Sequence, residues 1–378
     1  MRSAEQDVSC QGRGMSGAGA GAMAAMYRGS ALMSGWRSIC GARGCVRRRS
    51  SAPWYQEHLQ MEDKKLRSNS RVGDKKSNIL KNPGVIAVDK MSRESLCQHL
   101  ADNVVYREGP LVAINKPPGM SIGSPEGSSI VSLLPELQQV LQTKSDLHVV
   151  KGAPKESSGL VLLSSCHVTT KRCEDFYAKC RESERPITTF CAVTLGVPSP
   201  GEGEIKVALK VENIGGLDLV IPVLHPSKGS LERREVKRTE TRYKILHTAE
   251  DCSLLQLQPM SVYREQLLVH CVLKFCPILG DHTYSGRVAK VLGEDIYVPV
   301  EQATPKPQRI EEKILHKMHL VDWQVPRIPL HLHLHHLLIP PDTSRTHPTH
   351  LTAPPPPFFK RTMDLLHLKM RKSDFSKP

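Results

Sequence analysis

No run of about 18 consecutive apolar residues occurs in this chain, so nothing in it reads as a membrane-spanning helix. Its eleven cysteines form no CxxC pair and no Cys/His ladder. Zinc ribbons and fingers need such close pairs to close a tetrahedral site, so no structural zinc is expected. An odd number of cysteines scattered over 378 residues fits free thiols in a reducing compartment; Cys271 and Cys276 are the closest pair in the core. Acids and lysine are both missing from Val8 to Gln56, a stretch that holds seven arginines among Gly, Ala, Ser and Met. A cationic, Ser-rich, acid-poor start has the composition of a mitochondrial presequence, and a basic unstructured tail is the alternative. No internal repeat is visible.

The formal net charge is +14. Residues 1–80 carry fourteen Lys+Arg against six Asp+Glu, which leaves +6 for the other 298 residues. That remainder permits nucleic-acid binding without demanding it. Three segments follow from composition: a presequence-like stretch at 1–56, a polar linker with a short helix at 57–105, and a Pro-rich, basic tail at 341–378. The helix is expected over 92–102, with Ser92 as N-cap and Leu96 and Leu100 on one face. Val168 to Arg181 also has helical spacing. Apolar or β-rich runs at Leu111–Ile114, Gly159–Leu163, Thr188–Leu195, Arg242–Leu246, Leu254–Leu257 and Leu330–Leu334 read as strands. Many strands and few helices imply an α+β fold with a mixed, mostly antiparallel sheet. Pro354 to Pro357 read as a rigid surface connector.

Five segments, in order, carry a family resemblance. They are Leu111-Val-Ala-Ile-Asn-Lys-Pro-Pro-Gly119, Glu156-Ser-Ser-Gly-Leu-Val-Leu-Leu163, Thr188-Thr-Phe-Cys-Ala-Val-Thr-Leu-Gly196, Gln266-Leu-Leu-Val-His270, and Pro277-Ile-Leu-Gly-Asp-His-Thr-Tyr284. They are similar, respectively, to LxVxNKPxGL, RLDxxTSGLLLL, KxYxAxVxG, GRxHQxRVH and PxxGDxxYG, and together the chain resembles the RluA-type RNA pseudouridine synthases. The resemblance covers roughly 106–340, which it implies is one domain with a long mixed sheet and a central cleft into which a uridine is flipped out of RNA. It also implies three groups: an Asp nucleophile, a Tyr that packs on the base and helps remove a proton, and a buried Arg that keeps the Asp ionised.

All three positions differ here. The Asp position falls on Pro154, the Tyr on Phe190, and the motif's two arginines on Tyr263 and Leu268. A buried Arg without its Asp would cost several kcal/mol, so losing both together is physically coherent. Two readings follow. In the first, the chain isomerises uridine in mitochondrial mRNA or rRNA in the matrix, in support of mitochondrial translation. Glu156 or else Asp146 then supplies the carboxylate, with Arg264 as its partner. Glu156 lies two residues from Pro154, which on a strand is the same face. In the second, the chain is a catalytically silent RNA-binding or assembly factor on the same fold.

Neither reading needs a cofactor or a metal. The expected partners are RNA and mitochondrial RNA-processing or ribosome-assembly proteins. Lys116, in the first turn, is expected to position a loop rather than react; Lys116 and Phe190 are expected to contact RNA, and Arg233, Arg234, Lys237 and Arg238 to meet its backbone, with a solvated loop as the alternative for this last group. The alternation Leu330-His-Leu-His-Leu-His335 places His331, His333 and His335 on one face of a strand, expected to meet solvent or RNA. Asp281 is expected to cap a turn.

Overall fold

The computed structural model describes residues 78–81, 86–123, 128–302, 305–341 and 347–371. The presequence-like segment at 1–56 lies outside these residues. Helix α1 (Arg93–Asp102) starts at Ser92, whose side chain accepts a hydrogen bond from the Ser95 amide, and buries Leu96 and Leu100 as their spacing predicts. Strands β1 (Val104–Glu108) and β2 (Leu111–Lys116) form an antiparallel pair. Helix α2 (Ile130–Val140), not among the elements expected above although Ser129 and the Ile130, Leu133 and Leu137 spacing signal it, is closed by a reciprocal Ser129–Ser132 capping box. Then come β3 (His148–Gly152), β4 (Ser158–Ser164), α3 (His167–Glu182) and β5 (Thr188–Leu195). Four long strands with a one-turn helix among them follow: β6 (Glu202–Ile214), β7 (Leu217–Val223), α4 (Lys228–Glu232), β8 (Val236–Ala249) and β9 (Cys252–Pro259). Helix α5 (Gln266–Leu273), the hairpin β10 (Val288–Val291) and β11 (Glu294–Tyr297), α6 (Glu312–Lys317), β12 (Leu332–Ile339), β13 (Thr349–Thr352) and α7 (Pro357–Leu365) complete the order.

Eleven strands join in one sheet of order β1-β2-β4-β12-β5-β9-β8-β6-β7, with β3 on β4 and β13 on β12. Only β4 and β12 run parallel; every other pairing in the sheet is antiparallel. Both faces of the central strands are covered, and the period of two sorts their side chains. Leu111, Ala113, Leu160 and Leu162 join Cys173 and Tyr177 of α3, while Val112, Ile114, Val161 and Leu163 join α1 and α2. Likewise, Phe190 and Ala192 face one core, and Cys191 and Val193 the other.

Two expectations fail here, for one reason. The segment expected as a surface tail is part of the domain: β13 pairs with β12, and Phe358 and Phe359 of α7 are fully buried. Ile79, inside the expected linker, enters the same core. That layer covers the histidine face of β12, so these side chains meet protein rather than solvent or RNA. His331 bonds the Pro329 carbonyl and the Thr362 hydroxyl, each at 2.8 Å. His333 stands between the Ser158 hydroxyl (2.9 Å) and the Ala353 carbonyl (3.0 Å), and His335 contacts the same carbonyl at 2.6 Å. Among the described residues, no group of three or more His, Cys, Asp or Glu is arranged to hold a metal, and no helix is long and apolar enough to cross a membrane.

Burial holds His331 down to about 4 and His333 to about 3, against about 6.5 for a free histidine. The unfolded chain therefore binds protons that the folded chain refuses. Their stabilisation is complete above about pH 6.5 and is lost as the pH falls toward 4. Thermal unfolding followed by circular dichroism should shift down by several degrees between pH 7 and pH 5; an unchanged midpoint would contradict the burial of these rings as neutral groups.

Candidate functional site

The β3–β4 loop, residues 153–157, sits where the sheet forks. One edge of β4 pairs with β12 at Ser158 and Gly159, then with β3 from Val161 onward. Gly159 is required at the fork: its φ is +118°, and a Cβ would come within 2.3 Å of the Leu334 carbonyl oxygen. Beneath the loop lies Lys116 at the end of β2, only 1% exposed. Its Nζ donates to the carbonyls of Ser157 (2.6 Å), Pro117 (3.1 Å) and Lys155 (3.3 Å). Burial lowers its pKa to about 7, opposed by the Glu156 carboxylate, while the three carbonyl acceptors match the three N–H donors of the protonated amine and favour that form. Lys116 thus anchors the loop from inside and presents no cation to an RNA surface.

The loop itself places the expected carboxylates. Glu156 and Pro154 are both exposed. Residues 155–157 form a bend, tied by the Ser157 hydroxyl to the Pro154 carbonyl at 3.1 Å. The same-face argument from strand spacing therefore does not apply to Glu156. Asp146 lies before β3 and the loop lies after it, about 13 Å of strand away.

The fourth motif forms a second group. Phe190 and Leu268, at the family's Tyr and Arg positions, belong to one buried apolar cluster with Ala153, the neighbour of Pro154. Phe190 is 5% exposed and offers no free ring face to a base. Arg264 does not pair with Glu156. Its Nε donates to Glu265 Oε1 at 3.0 Å and its Nη2 to the Asp218 carbonyl of β7 at 3.2 Å. Glu265 precedes α5 with a left-handed φ of +53°, and its other oxygen accepts the hydroxyl of buried Tyr284. Tyr284 in turn accepts the Val220 amide at 3.0 Å. Asp281 caps a turn as expected: its Oδ1 accepts the amides of Thr283 and Tyr284, both at 2.9 Å, while burial raises its pKa to about 6. Sequence reasoning passed over Glu265 and Tyr284. The available signal was a carboxylate beside Arg264, at the histidine position of the fourth motif.

Below α5, Thr239 donates to the Val207 carbonyl at 2.7 Å, so its one hydroxyl proton is used. The His270 contact at 3.0 Å must then run from a protonated Nε2 to Thr239. Burial holds His270 down to about 4, neutral at physiological pH.

The basic cluster is partly neutralised. Arg233 pairs with Glu235 at 2.8 Å, and Lys237 donates to the Val262 carbonyl at 2.9 Å. On the outer face of β6 and β8, cross-strand partners Glu202/Lys244 and Glu204/Arg242 pair, as do Lys206 and Glu240. Among the described residues, Arg234, Lys237 and Arg238 are exposed and make no ion pair, so they carry the free charge of the cluster. Replacing Arg234 and Arg238 with Ala should weaken RNA binding and flatten its salt dependence by about two phosphate contacts. Replacing Arg233 alone should change little. Equal salt slopes for wild type and the double variant would return the cluster to a solvated loop.

No family model matches the chain. It is 45% identical over 283 residues to the Homo sapiens protein named Mitochondrial mRNA pseudouridine synthase RPUSD3, covering 74% of this chain and 80% of that one. The Mus musculus protein of the same name is 43% identical over 291 residues, covering 76% and 84%. The Mus musculus protein named Pseudouridylate synthase RPUSD4, mitochondrial, is 28% identical over 298 residues, covering 75% and 74%. A solved structure, Human RNA Pseudouridylate Synthase Domain Containing 4, superposes with a TM-score of 0.58 at 24% identity, over 74% of this chain and 98% of that one. At that identity the superposition speaks to the fold alone.

Proposed function

We propose, from the premise that the chain belongs to the mitochondrial branch of the RluA-type pseudouridine synthase family, that it converts uridine to pseudouridine in mitochondrial RNA. The relatives' names supply the substrate class, messenger RNA first, and the mitochondrial location. Action in the matrix, alongside RNA-processing or ribosome-assembly proteins, completes the reading.

One observation carries the chemistry: an exposed carboxylate, Glu156, stands on the β3–β4 loop, and a buried ammonium, Lys116, holds the carbonyls on either side of it. The loop occupies the family's nucleophile segment. Glu156 attacks C1′ of a flipped uridine, and the N1–C1′ bond breaks with its electron pair on uracil. The uracil turns, C5 bonds to C1′, and the carboxylate leaves. The C5 proton is lost to solvent while N1 gains one. Lys116 offsets the glutamate charge and fixes the loop, the service that a buried Arg performs for the family Asp.

The second reading, an RNA binder without chemistry, draws on Pro154 and Leu268, which replace the family's Asp–Arg pair with apolar groups. Glu156→Gln separates the two, because it keeps size and hydrogen bonding but removes the charge. The isomerase should lose pseudouridine formation by at least about 100-fold and keep its RNA affinity. Full activity in Glu156→Gln rejects Glu156 as the nucleophile. No pseudouridine from the wild-type protein, in mitochondrial RNA that it binds, selects the silent reading.

A further inference from the structure

The ion pair between Arg264 and Glu265 has no part in the scheme above, yet it is built with some care. Glu265 holds a left-handed backbone, a conformation disfavoured for a residue with a Cβ, and this aims its side chain from the start of α5. One carboxylate oxygen is held by Arg264 Nε and the other by the Tyr284 hydroxyl. Tyr284 is itself fixed by the Val220 amide, and Arg264 by the Asp218 carbonyl. The pair is nonetheless open: the side chains of Arg264 and Glu265 remain 40% and 27% exposed. Each carboxylate oxygen accepts two hydrogen bonds, so each retains capacity, and Arg264 Nη1 keeps its N–H donors. Tyr263 stands beside them, half-buried against the core, and Lys237 reaches the Val262 carbonyl of the same loop. A rigid acceptor next to a rigid donor, with an aromatic ring and a cation adjacent, is the equipment for reading an unstacked base.

The chemistry selects which base. Uracil presents an N3–H donor flanked by two carbonyl acceptors. Cytosine presents a bare N3 acceptor beside an amino donor. A carboxylate accepts from uracil N3–H while the neighbouring guanidinium donates to a uracil carbonyl. Against cytosine, the same carboxylate meets a lone pair, a mismatch that leaves charge unpaired. We propose that Arg264 and Glu265 read the Watson–Crick edge of an unstacked uracil in the bound RNA, with Tyr284 and Asp218 holding the pair in place. This rests on the chain acting on uridine, and it gives a role in recognition to an ion pair that the scheme above leaves unused.

The test is binding, independent of turnover. Two fluorescein-labelled nine-nucleotide RNAs, identical except for U or C at the centre, are titrated against the full-length protein by anisotropy. The wild type should favour the U strand by about tenfold. Glu265→Gln, whose amide can donate as well as accept, should bring the ratio close to one while binding of the C strand is kept or improved. Arg264→Ala changes an exposed side chain and should bring the ratio down by weakening the U strand alone. A purely structural tie between α5 and β7 would move thermal stability and leave the ratio intact. A wild-type ratio near one overturns the inference, as does an unchanged ratio in folded Arg264→Ala; the latter variant decides alone if Glu265→Gln fails to fold. Absence of pseudouridine alongside an intact ratio counts against the isomerase reading only. A ratio near one alongside turnover counts against base reading only.

Discussion

Lys116 is an ammonium sunk beneath the β3–β4 loop that carries Glu156, and the geometry around it depends on that burial. Removing a cation from water is costly unless hydrogen bonds replace its hydration. Here three backbone carbonyls do so, two of them in the β3–β4 loop. The same contacts shape the loop at the point where β12 and β3 part along β4. Gly159 lets β12 approach closely at this fork. The Ser158 hydroxyl, bonded to His333, ties the fork to the covering layer of β13 and α7. Loop, fork and C-terminal layer thus form one connected assembly.

Around it, the distribution of charge departs from the family pattern in a coherent way. An Asp–Arg pair is tolerable in a core only as a pair. With Pro154 on the loop and Leu268 in the apolar cluster, neither charge is left without the other. Charge reappears at two places that the fold can solvate. One is Glu156 above Lys116, and the other is Arg264 with Glu265, braced by Tyr284. A buried neutral His270 lies in the helix that follows the second pair, and its low pKa keeps it uncharged there.

Much of the sheet was legible in the sequence because each central strand carries its own pattern. Thr188–Leu195 coincides with β5, and Ser92, Leu96 and Leu100 place α1 and its buried face. The Asp281 cap was legible from its Gly-Asp-His context. Other features depended on what covers a segment. The alternation of β12 correctly separates Leu from His, but it cannot say that both faces are covered, so the histidines looked exposed. Pro354–Pro357 looked like a connector because a proline run shows no apolar period, yet Pro357 opens α7 and Phe358 and Phe359, immediately after it, anchor that helix in the core. Spacing placed Glu156 on the face of a strand, whereas Ser157 bends the chain there. That Lys116 positions a loop was legible from its place beside a turn, but a lysine there looks the same whether its ammonium points out to phosphate or in to carbonyls, so its burial was not.

That last distinction gives the most direct test. In Lys116→Met, the stem is kept and the ammonium removed. Pseudouridine formation and RNA affinity, with its salt dependence, are measured on the same folded preparation. If Lys116 anchors the catalytic loop, turnover falls at least about tenfold while affinity and salt slope stay at wild-type values. Turnover that survives, or affinity that falls with a shallower salt slope, would contradict the account and make Lys116 a phosphate contact instead.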